Sequence, residues 1–271
     1  MSAAPATADR PIAVRRRRAE ELRARHPFAD EVLVLYVALL EAWDAVGATP
    51  SDPQEAASWA ADHVLPAVIE ATLAAGPPAL RDAVRDRPET VLADWLTGAT
   101  LDPVDRYLAR ASLAPVLEAL GERAGDACVP GDAAELCPRC GGLPQLSCLA
   151  ASGQSLVSGP RSLLCARCGS SWTCSRSVCP ACGEDQETRL SVYSEEWHGP
   201  VSGRADDGNG RPVFPHLRIV GCSTCDRYLI EIDLARDPRA VPEVDELAAL
   251  PLDLYAADQG LTKVTPNLMG F

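Results

Sequence analysis

Four short segments decide the fold: Cys137-Pro138-Arg139-Cys140-Gly141, Cys165-Ala166-Arg167-Cys168-Gly169, Cys179-Pro180-Ala181-Cys182-Gly183 and Cys222-Ser223-Thr224-Cys225-Asp226. Each is a Cys-x-x-Cys pair closed by a residue suited to a left-handed turn. A two-residue spacer lets both sulfurs of a tight turn face one metal, and two such turns complete a tetrahedron with bonds of roughly 2.3 Å. Glycine follows three of the pairs, as a turn with positive φ requires. Aspartate, which follows the fourth, tolerates that region better than most residues. A single pair could be a redox dithiol or coincidence, but four in one chain specify metal ligation. No βαβ pattern of a thioredoxin-like fold surrounds any of them.

The candidate ligands are therefore Cys137, Cys140, Cys165, Cys168, Cys179, Cys182, Cys222 and Cys225. They suffice for two metal ions, iron or zinc, each held by four cysteine thiolates. The gaps between successive pairs are 24, 10 and 39 residues. Sequential pairing, first with second and third with fourth, is preferred because each β segment then begins and ends within its own unit. An interleaved cross-brace stays sterically open across the short spacer, and loop-closure entropy varies too slowly with length to decide. Each sequential unit would be rubredoxin-like or a zinc ribbon. A site filled by four thiolates has no open position at which to activate water, so such sites are structural or carry electrons. No catalytic residue is assigned, and no P-loop, G-x-G-x-x-G, H-E-x-x-H or G-x-S-x-G motif occurs.

Cys128, Cys148 and Cys174 are left over, with Cys148 read as a small buried hydrophobe in a strand. Cys174 could substitute as a ligand. The four histidines, His26, His63, His198 and His216, stand at no ligand spacing from a knuckle. Around the knuckles, short β runs are expected at Leu143–Leu149, Ser162–Cys165 and Arg189–Tyr193. The clearest strand alternates Tyr228, Ile230, Ile232 and Leu234 with Arg227, Glu231 and Asp233, the period of a half-buried strand. The Gly-, Asp- and Asn-rich segment from Glu196 to Arg211 reads as an exposed loop.

All eleven cysteines lie between Cys128 and Cys225, and the chain before them has a different grammar. Val32, Leu35, Tyr36, Leu39, Leu40, Trp43 and Val46 recur at three- and four-residue intervals, which predicts an amphipathic helix over 30–46. Asp30 is expected as its N-cap and Gly47 just past its end. Pro53, Pro66, Pro78, Pro88, Pro103 and Pro115 can each open a short helix, and Asp102-Pro103 is the clearest start. Gly76, Gly98 and Gly121 can close three of them. Trp43, Trp59 and Trp95 are expected as core anchors. At Gly121 the helical pattern gives way to Gly125-Asp126 and Pro130-Gly131-Asp132. The expected fold class is α+β: a helical domain over 1–122, a first metal unit over 123–176 and a second over 177–271.

A formal net charge of −13 and a pI near 4.7 oppose binding to nucleic acid or anionic lipid. The exception is Arg15-Arg16-Arg17-Arg18, read as the solvated face of a first helix. An export signal is not read there, because Glu20 and Glu21 interrupt the apolar stretch that should follow. The longest apolar run, Val32 to Leu40, is about half of what spans a bilayer. No membrane insertion is expected, and the location expected is cytoplasmic.

With these features placed, the chain resembles the FdhE family of formate dehydrogenase accessory proteins. The resemblance rests on Cys137-Pro138-x-Cys140-Gly141 with Pro144, and on Leu164-Cys165-x-x-Cys168 with Trp172 and Arg176. It extends through Cys179-x-x-Cys182 and Cys222-x-x-Cys225-x-x-Tyr228-Leu229 to the stretch around Leu250 to Asp258 and the closing Pro266-Asn267-Leu268. Arg25-His26-Pro27 is also similar. The resemblance implies a helical domain followed by two rubredoxin-like domains, sequential pairing and iron carried by the cysteines. It further implies a cytoplasmic, non-enzymatic factor that binds the catalytic subunit of a respiratory formate dehydrogenase before export. The chain departs from the family pattern in the segment from Glu196 to Arg211 and at Ile230. A rubredoxin-like redox protein acting on an oxidoreductase is the alternative reading, and a nucleic-acid-binding ribbon a weaker one.

Overall fold

The computed structural model describes residues 11–46, 50–85, 91–129, 135–150, 159–195 and 212–270. Expectations for Gly47, Pro88, His198, Pro130-Gly131-Asp132 and the segment from Glu196 to Arg211 lie outside them. The first part is helical: α1 (Pro11–Arg25), α2 (Asp30–Val46), α3 (Ala56–His63), α4 (Leu65–Ala75), α5 (Pro78–Ala83), α6 (Val91–Thr97) and α7 (Pro103–Leu120). The second part is a sheet: β1 (Pro144–Leu149), β2 (Arg161–Cys165), β3 (Ser171–Thr173), β4 (Leu190–Ser194), β5 (Leu217–Cys222) and β6 (Arg227–Asp233). Two further helices, α8 (Pro242–Ala248) and α9 (Leu250–Asp258), precede a short β7 (Thr262–Lys263). The fold class is α+β, with ribbon-like units following a helical region.

In α2 the periodic stripe buries Leu33, Leu35, Tyr36, Leu39, Leu40 and Trp43. Asp30 is not the N-cap: a 3-10 turn over Pro27–Ala29 runs directly into it, and its backbone is already helical. Asp102 caps α7 as expected, accepting from the amides of Val104 at 2.9 Å and Asp105 at 3.0 Å. Pro115 does not open a helix but sits inside α7. A proline there removes the donor that the carbonyl four residues earlier would use. That carbonyl, on Ala111, instead accepts the indole N–H of Trp43 at 2.9 Å. Of the three tryptophans only Trp43 is a buried anchor; Trp59 and Trp95 are half-buried.

The sheet order is β3-β2-β1-β6-β5-β4, with β7 on β6. Two antiparallel three-stranded ribbons, β1 to β3 and β4 to β6, are fused by a parallel β1–β6 pairing from Leu146 opposite Ile230 to Leu149 opposite Asp233. The β segments therefore do not stay within separate units. Nor is β6 half-buried: as an interior strand it is buried from Tyr228 to Ile232, Glu231 included. Glu231 is compensated by Arg218, whose Nε donates at 2.7 Å, by the Ser147 hydroxyl at 3.0 Å and by Arg161 at 3.3 Å. One apolar core joins Leu39 and Leu113 of the helices to Leu146, Ile219 and Ile230 of the sheet and to Val244 and Leu247 of α8.

The arginine run of α1 is a solvated face only in part: Arg17 is exposed and Arg16 half-exposed, whereas Arg15 and Arg18 are turned to partners. Arg18 is 2% exposed, and its guanidinium donates to Asp245 at 2.9 Å and to Asp237 at 2.7 Å. Arg15 bridges Glu118 of α7 and Glu243 of α8, each at 2.7 Å. Residues three apart share a helix face, so both guanidiniums reach the acidic start of α8. Asp245 also accepts from the Val241 amide at 2.8 Å and meets His216 Nε2 at 2.8 Å. Burial alone would raise the Asp245 carboxyl, but the His216 hydrogen bond and the Arg18 guanidinium outweigh it and hold the pKa below its ordinary value.

Two outcomes follow from these contacts. Trp43→Phe should cost about 1–3 kcal/mol beyond its packing loss, because Ala111 then keeps a buried carbonyl without a donor. Pro115→Ala in that background should recover part of the loss by restoring the amide, as read by urea denaturation. Asp245→Asn should cost about 3–5 kcal/mol near neutral pH by leaving buried Arg18 short of its main partner. Since the folded pKa is depressed, the stabilisation is complete above the unfolded value of about 3.9 and fades as pH falls through the folded one. Paired unfolding curves should therefore converge only in that acid range.

Candidate metal centres

Three of the knuckles share one local hydrogen bond, in which the glycine amide returns to the leading cysteine carbonyl. Gly141 donates to Cys137 at 2.9 Å, Gly169 to Cys165 at 3.2 Å and Gly183 to Cys179 at 3.0 Å. That geometry needs positive φ, which is 68° at Gly141, 67° at Gly169, 76° at Gly183 and 52° at Asp226. All four expected turn positions thus adopt the left-handed region, Asp226 being the one described non-glycine residue that does so.

The turns bring the eight cysteines into two groups, Cys137, Cys140, Cys165 and Cys168, and Cys179, Cys182, Cys222 and Cys225. Within each group the sulfurs lie within 4.8 Å of one another. Cys140 and Cys165 sulfurs are 3.4 Å apart, Cys137 and Cys168 3.8 Å, Cys179 and Cys225 3.8 Å, and Cys182 and Cys222 3.9 Å. A tetrahedron with bonds of about 2.3 Å has edges of roughly 3.8 Å, so both groups could hold an ion such as zinc or iron. Grouping is sequential, and no cross-brace forms. Sulfur contacts push the Cys165 thiol up while contacts of the same kind hold Cys168 down. Four sulfurs this close cannot all ionise unless a cation shares the site.

The two centres sit in different surroundings. The first is fully buried beneath the helices, whereas in the second Cys182 is exposed and Cys225 half-exposed. Backbone amides of Arg167 and Ala181 approach the sulfurs of Cys165 and Cys179 at 3.3 and 3.4 Å. Such contacts favour thiolate. Arg167, between the ligands of the second knuckle, donates to the Cys140 carbonyl at 2.9 Å and lies 5.9 Å from the Trp95 ring. Arg110 approaches the same ring at 5.9 Å, so α6, α7 and the first centre meet at Trp95.

Several contributors escaped the sequence reading. A Cβ on Gly142 would stand 2.8 Å from the Cys165 sulfur and 3.3 Å from that of Cys140. The Gly141-Gly142 pair was the available signal, since only its first member is explained by the turn. Ser170 places its hydroxyl 3.0 Å from the Cys168 sulfur. Cys128 joins neither group but lies beside the first, its thiol lowered by a hydrogen bond with Cys140 against the effect of burial. Cys148 lies in β1, where burial pushes its thiol up to about 12. Cys174 is half-buried and outside both groups. His216 does gather with Asp237 and Asp245, but the Arg18 guanidinium already serves those carboxylates.

Fold and sites define a helical protein with two four-cysteine ribbon centres. No protein-family model matches the chain. Among curated proteins it is similar to the FdhE homolog of Aquifex aeolicus, 31% identical over 100 residues, which is 37% of this chain and 30% of that protein. The FdhE homolog of Pseudomonas putida is 32% identical over 36% of this chain and 27% of its own length. That of Pseudomonas aeruginosa is 29% identical over 53% and 42%. Each match thus spans less than half of the relative. The crystal structure of the FdhE protein from Pseudomonas aeruginosa superposes with a TM-score of 0.64 at 24% identity, covering 95% of both chains, a likeness of fold. The likeness, in sequence over part of the chain and in fold over nearly all of it, is to FdhE proteins.

Gly142→Ala should disturb the first centre although it alters no ligand, because the new methyl enters the space between two sulfurs. Gly169→Ala, whose Cβ meets nothing within 4 Å, should cost only the left-handed strain of roughly 1–2 kcal/mol. Chelator-driven metal release from protein as purified should accelerate more in Gly142→Ala than in Gly169→Ala.

Proposed function

We propose that this chain is an accessory factor for the maturation of a formate dehydrogenase. In this reading it binds the enzyme's catalytic subunit in the cytoplasm before export and performs no catalysis of its own. Cys137, Cys140, Cys165 and Cys168 hold one ion and Cys179, Cys182, Cys222 and Cys225 a second, iron or zinc. The observation that carries the reading is the pairing of this knuckle arrangement with curated FdhE homologs. Closed four-thiolate coordination supports it, since such sites leave no position for a substrate. Among the described residues no helix is long and apolar enough to cross a membrane.

A second reading, one-electron transfer to an oxidoreductase, is favoured by a specific feature: the second centre presents Cys182 to solvent. An exposed ligand residue lets a docked partner come close to the metal, whereas the four ligand residues of the first centre are buried. Iron would be required, because zinc has no redox chemistry.

In a strain lacking the gene and any paralogue, formate oxidation should fall to background, and the tagged catalytic subunit should co-purify with the chain before export. Full activity in that strain would sink the accessory role. Retained complementation by a zinc-substituted protein would separate the accessory role from the electron-transfer reading.

A further inference from the structure

Between α2, α7 and the first centre lies a cleft of about 310 Å³, the lower end of the range for small-molecule sites, about 300–1,000 Å³. Tyr36, Trp43 and Leu164 give it flat apolar walls, and Arg110, Arg139 and Arg167 line it with positive charge. At its other edge Glu118 and Glu243 share Arg15, two carboxylates on one guanidinium. Among the described residues, the three remaining arginines donate to neutral oxygens. Arg110 bonds the Pro266 carbonyl at 2.6 Å and the Gln145 amide oxygen, Arg139 the Gly121 carbonyl at 2.9 Å, and Arg167 the Cys140 carbonyl at 2.9 Å. The Arg167 Nε is buried without a hydrogen-bond partner.

A buried guanidinium needs an anion near it. Arg110 is 6% exposed, and burial brings its pKa down to about 10 despite Glu246 nearby. The adjacent thiolates answer part of this demand but not all. Four thiolates around a divalent ion carry a net charge of minus two, and around a ferric ion minus one. Three guanidiniums exceed either. The excess of positive charge is therefore confined to the metal end of the cleft, its walls are apolar and in part aromatic, and the donors there are planar N–H groups suited to paired oxygens.

We propose that this cleft binds a carboxylate carried on a flat apolar body. The carboxylate lies against Arg139 and Arg167 at the metal end, and the body lies along Tyr36, Trp43 and Leu164. A free aromatic or aliphatic acid and the C-terminal carboxylate of a partner chain ending in an apolar residue offer the same chemistry.

The test uses the full chain as purified with its metal. Benzoate is titrated against benzyl alcohol, its neutral counterpart, with isothermal calorimetry and tryptophan fluorescence as readouts. Benzoate should saturate one site and bind at least about tenfold more tightly than benzyl alcohol. Arg139→Gln and Arg167→Gln should each weaken benzoate about tenfold while leaving the alcohol unchanged. Arg139 lies outside the ligand contacts that Arg167 makes, so its variant keeps the test intact if Arg167→Gln loses metal. A short peptide ending in phenylalanine, as the free acid and as the amide, forms the second arm. Tighter binding of the peptide acid than of benzoate assigns the site to a chain terminus, and benzoate binding without peptide binding assigns it to a free acid. No saturation by either acid at roughly 10 mM, equal affinity for benzoate and benzyl alcohol, or indifference of benzoate to Arg139→Gln overturns the proposal.

Discussion

The parallel pairing of β1 with β6 brings together strands from opposite ends of the knuckle region, with Leu146 beside Ile230 and Cys148 beside Ile232. Each ribbon by itself would expose an edge of unpaired backbone groups, a liability that folded proteins cover. Joining β1 to β6 removes one edge from each ribbon and makes both strands interior. Side chains on both faces of β6 are then enclosed, and the polar residues among them must find partners. Glu231, between Arg218, Arg161 and Ser147, is the direct consequence. Helices α8 and α9 follow β6 in sequence and pack back on the sheet, carrying Val244, Leu247 and Leu252 into the same core as α2 and α7.

Buried charge recurs wherever the helical region meets the sheet. Arg18 binds Asp245 and Asp237, while Lys263 lies 2.9 Å from Glu246 and 3.0 Å from Asp253. Tyr228 donates to Asp253 at 2.8 Å, and Gln145 links Glu246 to Arg110. Burial would lower the Lys263 pKa, but the two carboxylates overcome it and hold the ammonium charged. Such networks add little net stability over an apolar replacement, because desolvation offsets much of the attraction. Their effect here is positional: Arg18 of α1 finds Asp245 on α8 and Asp237 in the segment before it, which sets the helical region at one place against the sheet.

That placement separates the two metal centres by environment although their ligands are alike. The first lies under α6 and α7, with Trp95 between Arg110 and Arg167. Its coordination is therefore tied to helix packing, and a lost ion would disturb the contact between helices and sheet. The second lies at the far end of the sheet with Cys182 exposed. A partner can approach the second centre at Cys182, whereas the first centre borders the cleft lined by Arg110, Arg139 and Arg167. The accessory and electron-transfer readings divide along this line, since the former needs only folded surfaces and the latter an accessible redox ion.

The sequence by itself determined the local features. Cys-x-x-Cys spacing with glycine behind it encodes a turn whose geometry depends on adjacent residues alone, so all four knuckles and their positive φ values were legible. The same holds for the apolar stripe of α2 and the Asp102 cap of α7, which follow from helix periodicity and from orphan amides in one turn. What only the tertiary structure decided depends on partners distant in the chain. Arg15 and Arg18 look like solvated charge until α8 brings Glu243 and Asp245 to them. Pro115 looks like a helix start until Trp43 supplies the donor it lacks. Glu231 looks like an outward residue until β1 covers the other side of its strand. In each case the deciding free energy belongs to a pair of groups far apart in sequence, and pattern within a short window carries no record of the second member.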